Sequence, residues 1–295
     1  MTLKKIIFDC DNTFGVKDCD VDDGLALLYL LGHEEAELLG ITCTYGNSDI
    51  ETVYGNTRSM LEEIGRKDIP VLKGCASASN VQSEAVDFLV EAVNRNPGKI
   101  SILATGSLTN LHGAYLKDKS FFEKVSEVVL MGGVTEPLVI NGKLMAELNF
   151  ACDPLAAQCV LSNGRNVAVA TGNNCLAAYF TREGYNRRLK QSELPAARYI
   201  HEKTAYWYDY MKEQFELDGF FNWDVVAAAY LMDKKLFDEN ETAITPTVES
   251  LQEGFLIGSG NDIKVKLPRI MDPASFEEAV YAAYLNVSMD GGAWL

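Results

Sequence analysis

The chain has 295 residues, 47% hydrophobic and 23% charged, with 26 basic against 42 acidic side chains and a formal net charge of −16. No basic stripe exists to displace counterions from phosphates, which excludes a nucleic-acid partner, and no apolar run approaches the ~18 residues of a membrane span. The seven cysteines, at 10, 19, 43, 75, 152, 159 and 175, are odd in number and irregularly spaced, so they read as buried thiols in a cytoplasmic protein rather than as a disulfide framework.

The first predicted strand, Ile6-Ile7-Phe8, ends in carboxylates: Asp9 and Asp11, then Asp18, Asp20, Asp22 and Asp23. A short buried strand followed by an amphipathic helix from Asp22 puts these acids at the strand's carboxyl end, where open α/β sheets bind ligands. The helix macrodipole favours Asp22 and Asp23, but it does not reach the other four. Like charges this dense are held together economically by a hard divalent cation with oxygen ligands; the alternative is a solvated acidic loop.

Further along, Leu38–Thr44 reads as a strand, and Ser48 reads as an N-cap with Glu51 completing a capping box for a helix to Ile64. Strands are expected at Ile69–Leu72, Lys99–Ala104, Val125–Met131 and Val167–Thr171, with helices at Glu84–Val93 and Leu108–Leu116 and one opened by Asp153-Pro154. This alternation implies crossover units and a largely parallel sheet. Asn141-Gly142 marks a small hairpin between Val134 and Leu148. An aromatic-rich helix is expected at Pro195–Phe215, another from Trp223, β-like runs near 242–249 and 263–267, and a closing helix at Ser275–Leu285. The fold class expected is α/β, with a Rossmann-like, largely parallel central sheet flanked by helices, a small hairpin and a helical C-terminal region, in one domain spanning 1–295.

Polar clusters fall at the predicted strand ends: Gly46-Asn47, Thr105-Gly106, Glu147-Leu148-Asn149 and Asn222-Trp223-Asp224. Taken singly, each is a turn or a cap. Two families open in nearly this way. Asp9-Cys10-Asp11-Asn12-Thr13 resembles the D-x-D-x-T motif of haloacid-dehalogenase phosphatases, which would make Asp9 a nucleophile. Asp9-Cys10-Asp11 with Asp22-Asp23-Gly24-Leu25-Ala26-Leu27 resembles the opening of the nucleoside hydrolases. The later phosphatase elements are not evident. The nucleoside-hydrolase resemblance continues through Ala104-Thr105-Gly106-Ser107-Leu108-Thr109-Asn110, Met131-Gly132-Gly133, Glu147-Leu148-Asn149 with Asp153-Pro154, and Trp223-Asp224.

That resemblance implies calcium-dependent hydrolysis of the N-glycosidic bond of ribonucleosides. It assigns Ca²⁺ to Asp11, Asp23, the Thr105 carbonyl and Asp224, general-base duty to Asp11, and ribose hydroxyls to Asp22, Asn47, Asn141, Glu147 and Asn149. Trp223 stands where many members carry a leaving-group His, and it resembles the purine-stacking Trp of the purine-specific branch; alternatively it is a large core residue. By analogy the chain would form a homodimer or homotetramer. Two departures stand out. Ten residues separate Asp11 from Asp22 where the family usually has three, which leaves open Asp20 in place of Asp11 at the ion and suggests a lid or interface loop. The stretch from Gly74 to Phe88 is shorter than the family's base-covering loop. A non-catalytic ribose-binding homologue is the remaining alternative.

Overall fold

The computed structural model describes residues 3–289, so the ends of the expected 1–295 domain lie outside the described residues. The chain runs β1 (Lys4–Cys10), α1 (Asp22–Leu31), β2 (Ala36–Cys43), α2 (Ile50–Glu63), β3 (Val71–Leu72), α3 (Glu84–Arg95), β4 (Ile100–Ala104), α4 (Thr109–Lys117) and β5 (Glu127–Met131). The hairpin β6 (Val139–Ile140) and β7 (Lys143–Leu144) then interrupts the alternation, and α5 (Pro154–Asn163) and β8 (Val167–Ala170) resume it. Beyond lie α6 (Gly172–Cys175), β9 (Tyr179–Thr181), α7 (Arg182–Tyr185), α8 (Pro195–Phe215), β10 (Gly219–Phe221) and α9 (Trp223–Met232). The chain closes with β11 (Phe237–Asp238), β12 (Glu241–Ile244), α10 (Val248–Leu251), β13 (Ile263–Lys266), β14 (Arg269–Ile270) and α11 (Pro273–Asn286).

Eight strands form the central sheet in the order β12-β13-β8-β5-β4-β1-β2-β3. All neighbouring pairs are parallel except β12 and β13. β1 lies inside the sheet, paired with β2 and β4, and its residues from Ile6 to Cys10 are buried on both faces, as a parallel strand covered by helices requires. α1 packs against α9 and α11, with Leu25, Leu28 and Leu30 fully buried, so the two helices that begin with acids share one apolar wall. Each such leucine is worth roughly 1.5–3 kcal/mol of burial. No helix among the described residues is long and apolar enough to cross a membrane.

Local chemistry corrects several expected boundaries. The N-cap of α2 is Asp49, not Ser48: its carboxylate accepts from the backbone N–H groups of Glu51 and Thr52 at 2.9 and 3.0 Å, a stronger acceptor than a hydroxyl. The β-like run 242–249 stops at Ile244, and Thr247 with Ser250 forms a reciprocal capping box that turns Val248–Leu251 into a short helix. The hairpin is as expected, with Asn141 at φ +49° and Gly142 at φ +77°, the paired left-handed geometry a two-residue turn needs.

Candidate active site

Asp9 and Asp11 leave the end of β1 with different fates. Asp9 is fully buried, and its Oδ2 accepts from the Thr42 hydroxyl at 2.5 Å and the Asn110 amide at 2.9 Å. Burial pushes its carboxyl up to about 7. Its Oδ2 is held by two donors, while its Oδ1, like that of Asp11, has no hydrogen-bond partner. Asp11 is also fully buried, but its Oδ2 accepts from the Asn47 backbone N–H at 2.6 Å while its Oδ1 has no partner. Gly46 and Gly106 flank it so tightly that a Cβ on either would fall 1.9 Å from Oδ2 or 2.9 Å from Oδ1.

Two helix N-termini bring the remaining acids. Asp22 and Asp23 form the first turn of α1, and Asp224 lies in the first turn of α9. Asp23 accepts from the Thr105 hydroxyl at 2.7 Å and from the Asn47 amide at 3.2 Å, while the Asp224 backbone N–H donates to Asp22 at 3.4 Å. One carboxylate oxygen each from Asp22, Asp23 and Asp224 lies within 4.8 Å of the others, close enough to share a cation. This tight group differs from the expected Asp11, Asp23 and Asp224: Asp22 belongs to it, and Asp11 adjoins it, near enough that its charge raises the Asp23 carboxyl. Burial raises the carboxyls of Asp11, Asp22, Asp23 and Asp224, and the mutual repulsion of the acids raises them further. The helix dipoles help, but the arrangement lacks positive charge.

The cluster opens into a cavity of about 200 Å³ lined by Asp20, Asp22, Asn47, Thr105, Glu147, Asn149, Trp223 and Asp224, with Met131, Val134, Leu138, Met145 and Leu148 as its apolar part. Trp223 is only 8% exposed, with its ring 5.0 Å from that of Phe221, so it is both a packed core residue and part of the wall. Glu147 is committed to the backbone: its carboxylate accepts from the N–H groups of Gly133, Phe150 and Ala151. That fixes the loop bearing Asn149, whose amide donates to the Met131 carbonyl at 3.1 Å. Asn141, expected on ribose, does not line the cavity; it sits at the hairpin tip with its amide held by the Phe215 carbonyl at 2.8 Å.

The segment between Asp11 and Asp22 is docked rather than free. Asn56 on α2 donates to the carbonyls of Asn12 and Phe14, Tyr206 on α8 donates to the Cys19 carbonyl at 2.8 Å, and the Thr13 hydroxyl closes on the Asp20 carbonyl. It delivers Asp20 to the cavity wall, so the segment expected as a lid or interface loop is docked on the body of the chain and carries one more carboxylate. No residue between Gly74 and Phe88 lines the cavity. The apolar lining from Met131 to Leu148 was not foreseen; its signal was the hairpin itself, which breaks the strand-helix rhythm beside the sheet's carboxyl edge.

A family model described as inosine-uridine preferring nucleoside hydrolase matches residues 6–278. The probable uridine nucleosidase 2 of Oryza sativa subsp. japonica is 25% identical over 282 residues, covering 86% of this chain and 81% of its own. The inosine-uridine preferring nucleoside hydrolase of Leishmania major is 29% identical over 259 residues, covering 78% and 79%. Among solved structures, a purine-preferring ribonucleoside hydrolase from Gardnerella vaginalis superposes with a TM-score of 0.83 at 24% identity, covering 97% of this chain and 99% of that one.

Proposed function

The chain belongs to the inosine-uridine preferring nucleoside hydrolase family, and on that premise we propose that this N-ribohydrolase is calcium-dependent and favours purine ribonucleosides, releasing ribose and free base. The observation that carries the reading is the convergence of Asp22, Asp23 and Asp224, with the unpartnered Asp11 Oδ1 beside them, at the floor of a cavity walled by Trp223.

The donor set fits a hard cation. Four carboxylates, all oxygen donors, lie together with no basic side chain in the cavity lining to neutralise them. Ca²⁺ takes 6 to 8 oxygens in flexible geometry, which suits several aspartates better than the strict octahedron of Mg²⁺. Asp11, Asp23 and Asp224 with Thr105 would hold it, and the geometry adds Asp22 to that set. When bound, Ca²⁺ would supply the charge that acidifies a neighbouring water and fixes the ribose diol.

The chain's own residues do the rest. Asp11, held by the Asn47 N–H on one oxygen, offers the other to accept the proton of the attacking water. Asn47 and Asn149 present amides to the ribose hydroxyls, and Glu147 positions the loop bearing Asn149. The acid-lined cavity favours the positive charge that builds on the sugar as the glycosidic bond stretches. Trp223 offers an aromatic face to the base, and a purine presents the larger surface to stack on it.

The test is ribose release from inosine, adenosine, guanosine and uridine, with and without chelator. Turnover that chelation abolishes and that favours the purines supports the reading. No turnover of any of the four at high enzyme concentration rejects it.

A further inference from the structure

A ribose brings three hydroxyls to the cavity, and the cation end seats two of them as the 2′,3′-diol. Asp22, Asn47, Thr105 and Asp224 gather there, and Asp20 adjoins Asp22, its Oδ1 accepting from the intervening Val21 N–H at 2.6 Å. The third hydroxyl, on C5′, meets a different wall. Asn141 is withdrawn to the hairpin tip, its amide held by the Phe215 carbonyl at 2.8 Å. Glu147 reaches the lining, but its Oε1 already accepts from the N–H groups of Gly133 and Phe150 at 3.0 and 2.9 Å, and its Oε2 from those of Phe150 and Ala151 at 3.1 and 2.9 Å. A carboxylate has about four acceptor sites, and these four contacts fill them. Asn149 turns its amide nitrogen to the Met131 carbonyl and sulfur at 3.1 and 3.2 Å, which leaves one amide oxygen for the diol. Apart from Trp223, the other large side chains of the lining are Met131, Val134, Leu138, Met145 and Leu148, with no stronger hydrogen-bonding atom than a thioether.

From this loss of polar partners beside an apolar wall we infer that the preferred substrates are 5′-deoxyribonucleosides, in which C5′ is a methyl group. The inference rests on the N-ribohydrolase reading and narrows it at the sugar, independently of the base. A hydroxyl placed against this wall gives up its hydrogen bonds to water and gains none, whereas a methyl gains contact with two methionine and three aliphatic side chains. The reaction itself is unchanged. The hydroxyl of water ends on C1′ as the C1′–N bond breaks, and its proton ends on the base, giving 5-deoxyribose and free base. Met145 is the specificity residue of the wall. It stands half-buried just past β7, and its N–H donates to the Leu138 carbonyl at 2.8 Å, so one backbone bond ties together two of the five side chains.

The experiment compares kcat/KM of the Ca²⁺-loaded full chain, read as base release, for 5′-deoxyadenosine against adenosine and for 5′-deoxyuridine against uridine. Each pair shares one base, so base preference cancels in the ratio. The 5′-deoxy member is expected to lead in whichever pair is turned over, by on the order of tenfold. Met145→Gln keeps the length of the side chain and offers an amide to a hydroxyl, and it should lower the deoxy-to-parent ratio severalfold. Met145→Leu should leave that ratio in place. The ratio is read within each variant, so a general loss of folding or activity does not mimic the effect. Equal or better turnover of the parent nucleoside, or a ratio that Met145→Gln leaves unmoved, overturns the inference while the N-ribohydrolase reading stands. Failure of all four substrates to release base overturns both.

Discussion

The backbone N–H of Asn47 donates to one oxygen of Asp11 at 2.6 Å while the other oxygen, equally buried, has no partner. A carboxylate so held is oriented but not saturated, which is what a proton acceptor beside a water requires. Asp11→Asn preserves volume and removes basicity. It is expected to lower kcat by about 10²–10⁴-fold, the usual worth of a general base, with a much smaller change in KM. Steady-state kinetics on inosine check this, and an unchanged kcat contradicts the assignment.

Gly46 bears on the same carboxylate from behind. A Cβ there would stand 1.9 Å from Asp11 Oδ2, with no positive φ to share the blame. Gly46→Ala is expected to displace Asp11 and weaken Ca²⁺ binding at least about tenfold. Calorimetric titration of the variant with Ca²⁺ reads the effect directly.

Asp9 gives the fold a pH dependence of known sign. Its carboxyl stands at about 7 in the folded chain against an ordinary value of 3.8. Between those values the folded state keeps a proton that the unfolded chain has released, so stability falls as pH rises from about 4 to about 7 and then levels. Asp9→Asn removes this contribution and leaves that of the other raised carboxyls, Asp11, Asp22, Asp23 and Asp224. The loss of stability of the chelated protein between about pH 5 and about pH 8, read from urea unfolding, should therefore be smaller for the variant than for the natural chain by on the order of a few kcal/mol.

The metal should act in the opposite sense. The raised carboxyls of Asp11, Asp22, Asp23 and Asp224 ionise as pH climbs, and without a cation they repel. The stabilisation gained on adding Ca²⁺, read as the rise in Tm, is expected to be larger at about pH 8 than at about pH 5. A rise independent of pH would indicate binding away from these acids.

Trp223 separates base recognition from packing. Trp223→Phe keeps an aromatic ring against Phe221 but narrows the face offered to a base. It should lower kcat/KM for inosine by about tenfold and for uridine by less, since stacking is worth roughly 1–3 kcal/mol and scales with overlap. Equal losses on both substrates would mark Trp223 as a core residue alone.

Much of this was legible in the sequence because the chemistry sits in contiguous words. Asp22-Asp23 and Trp223-Asp224 open helices after strands, and the strand-helix alternation carries them to one edge of a parallel sheet. What could not be read depends on long-range docking. Asn141 is drawn from the cavity by the Phe215 carbonyl, 74 residues away. Asp20 is fixed at the wall by a tether from Tyr206 to its neighbour Cys19, 187 residues apart in the chain. Asp22 rather than Asp11 completes the tight carboxylate group because α9 aligns its first turn beside that of α1. Neither hydrophobic periodicity nor turn chemistry encodes those distances.

The most direct measurement is a Ca²⁺ titration of the chelated chain, followed at once by bound-ion stoichiometry and by ribose release from inosine. One ion per chain, with activity rising in step with its occupancy and lost in an Asp23→Asn, Asp224→Asn double variant, is the result expected. Full turnover in excess chelator, or an ion bound equally well by the double variant, would contradict it.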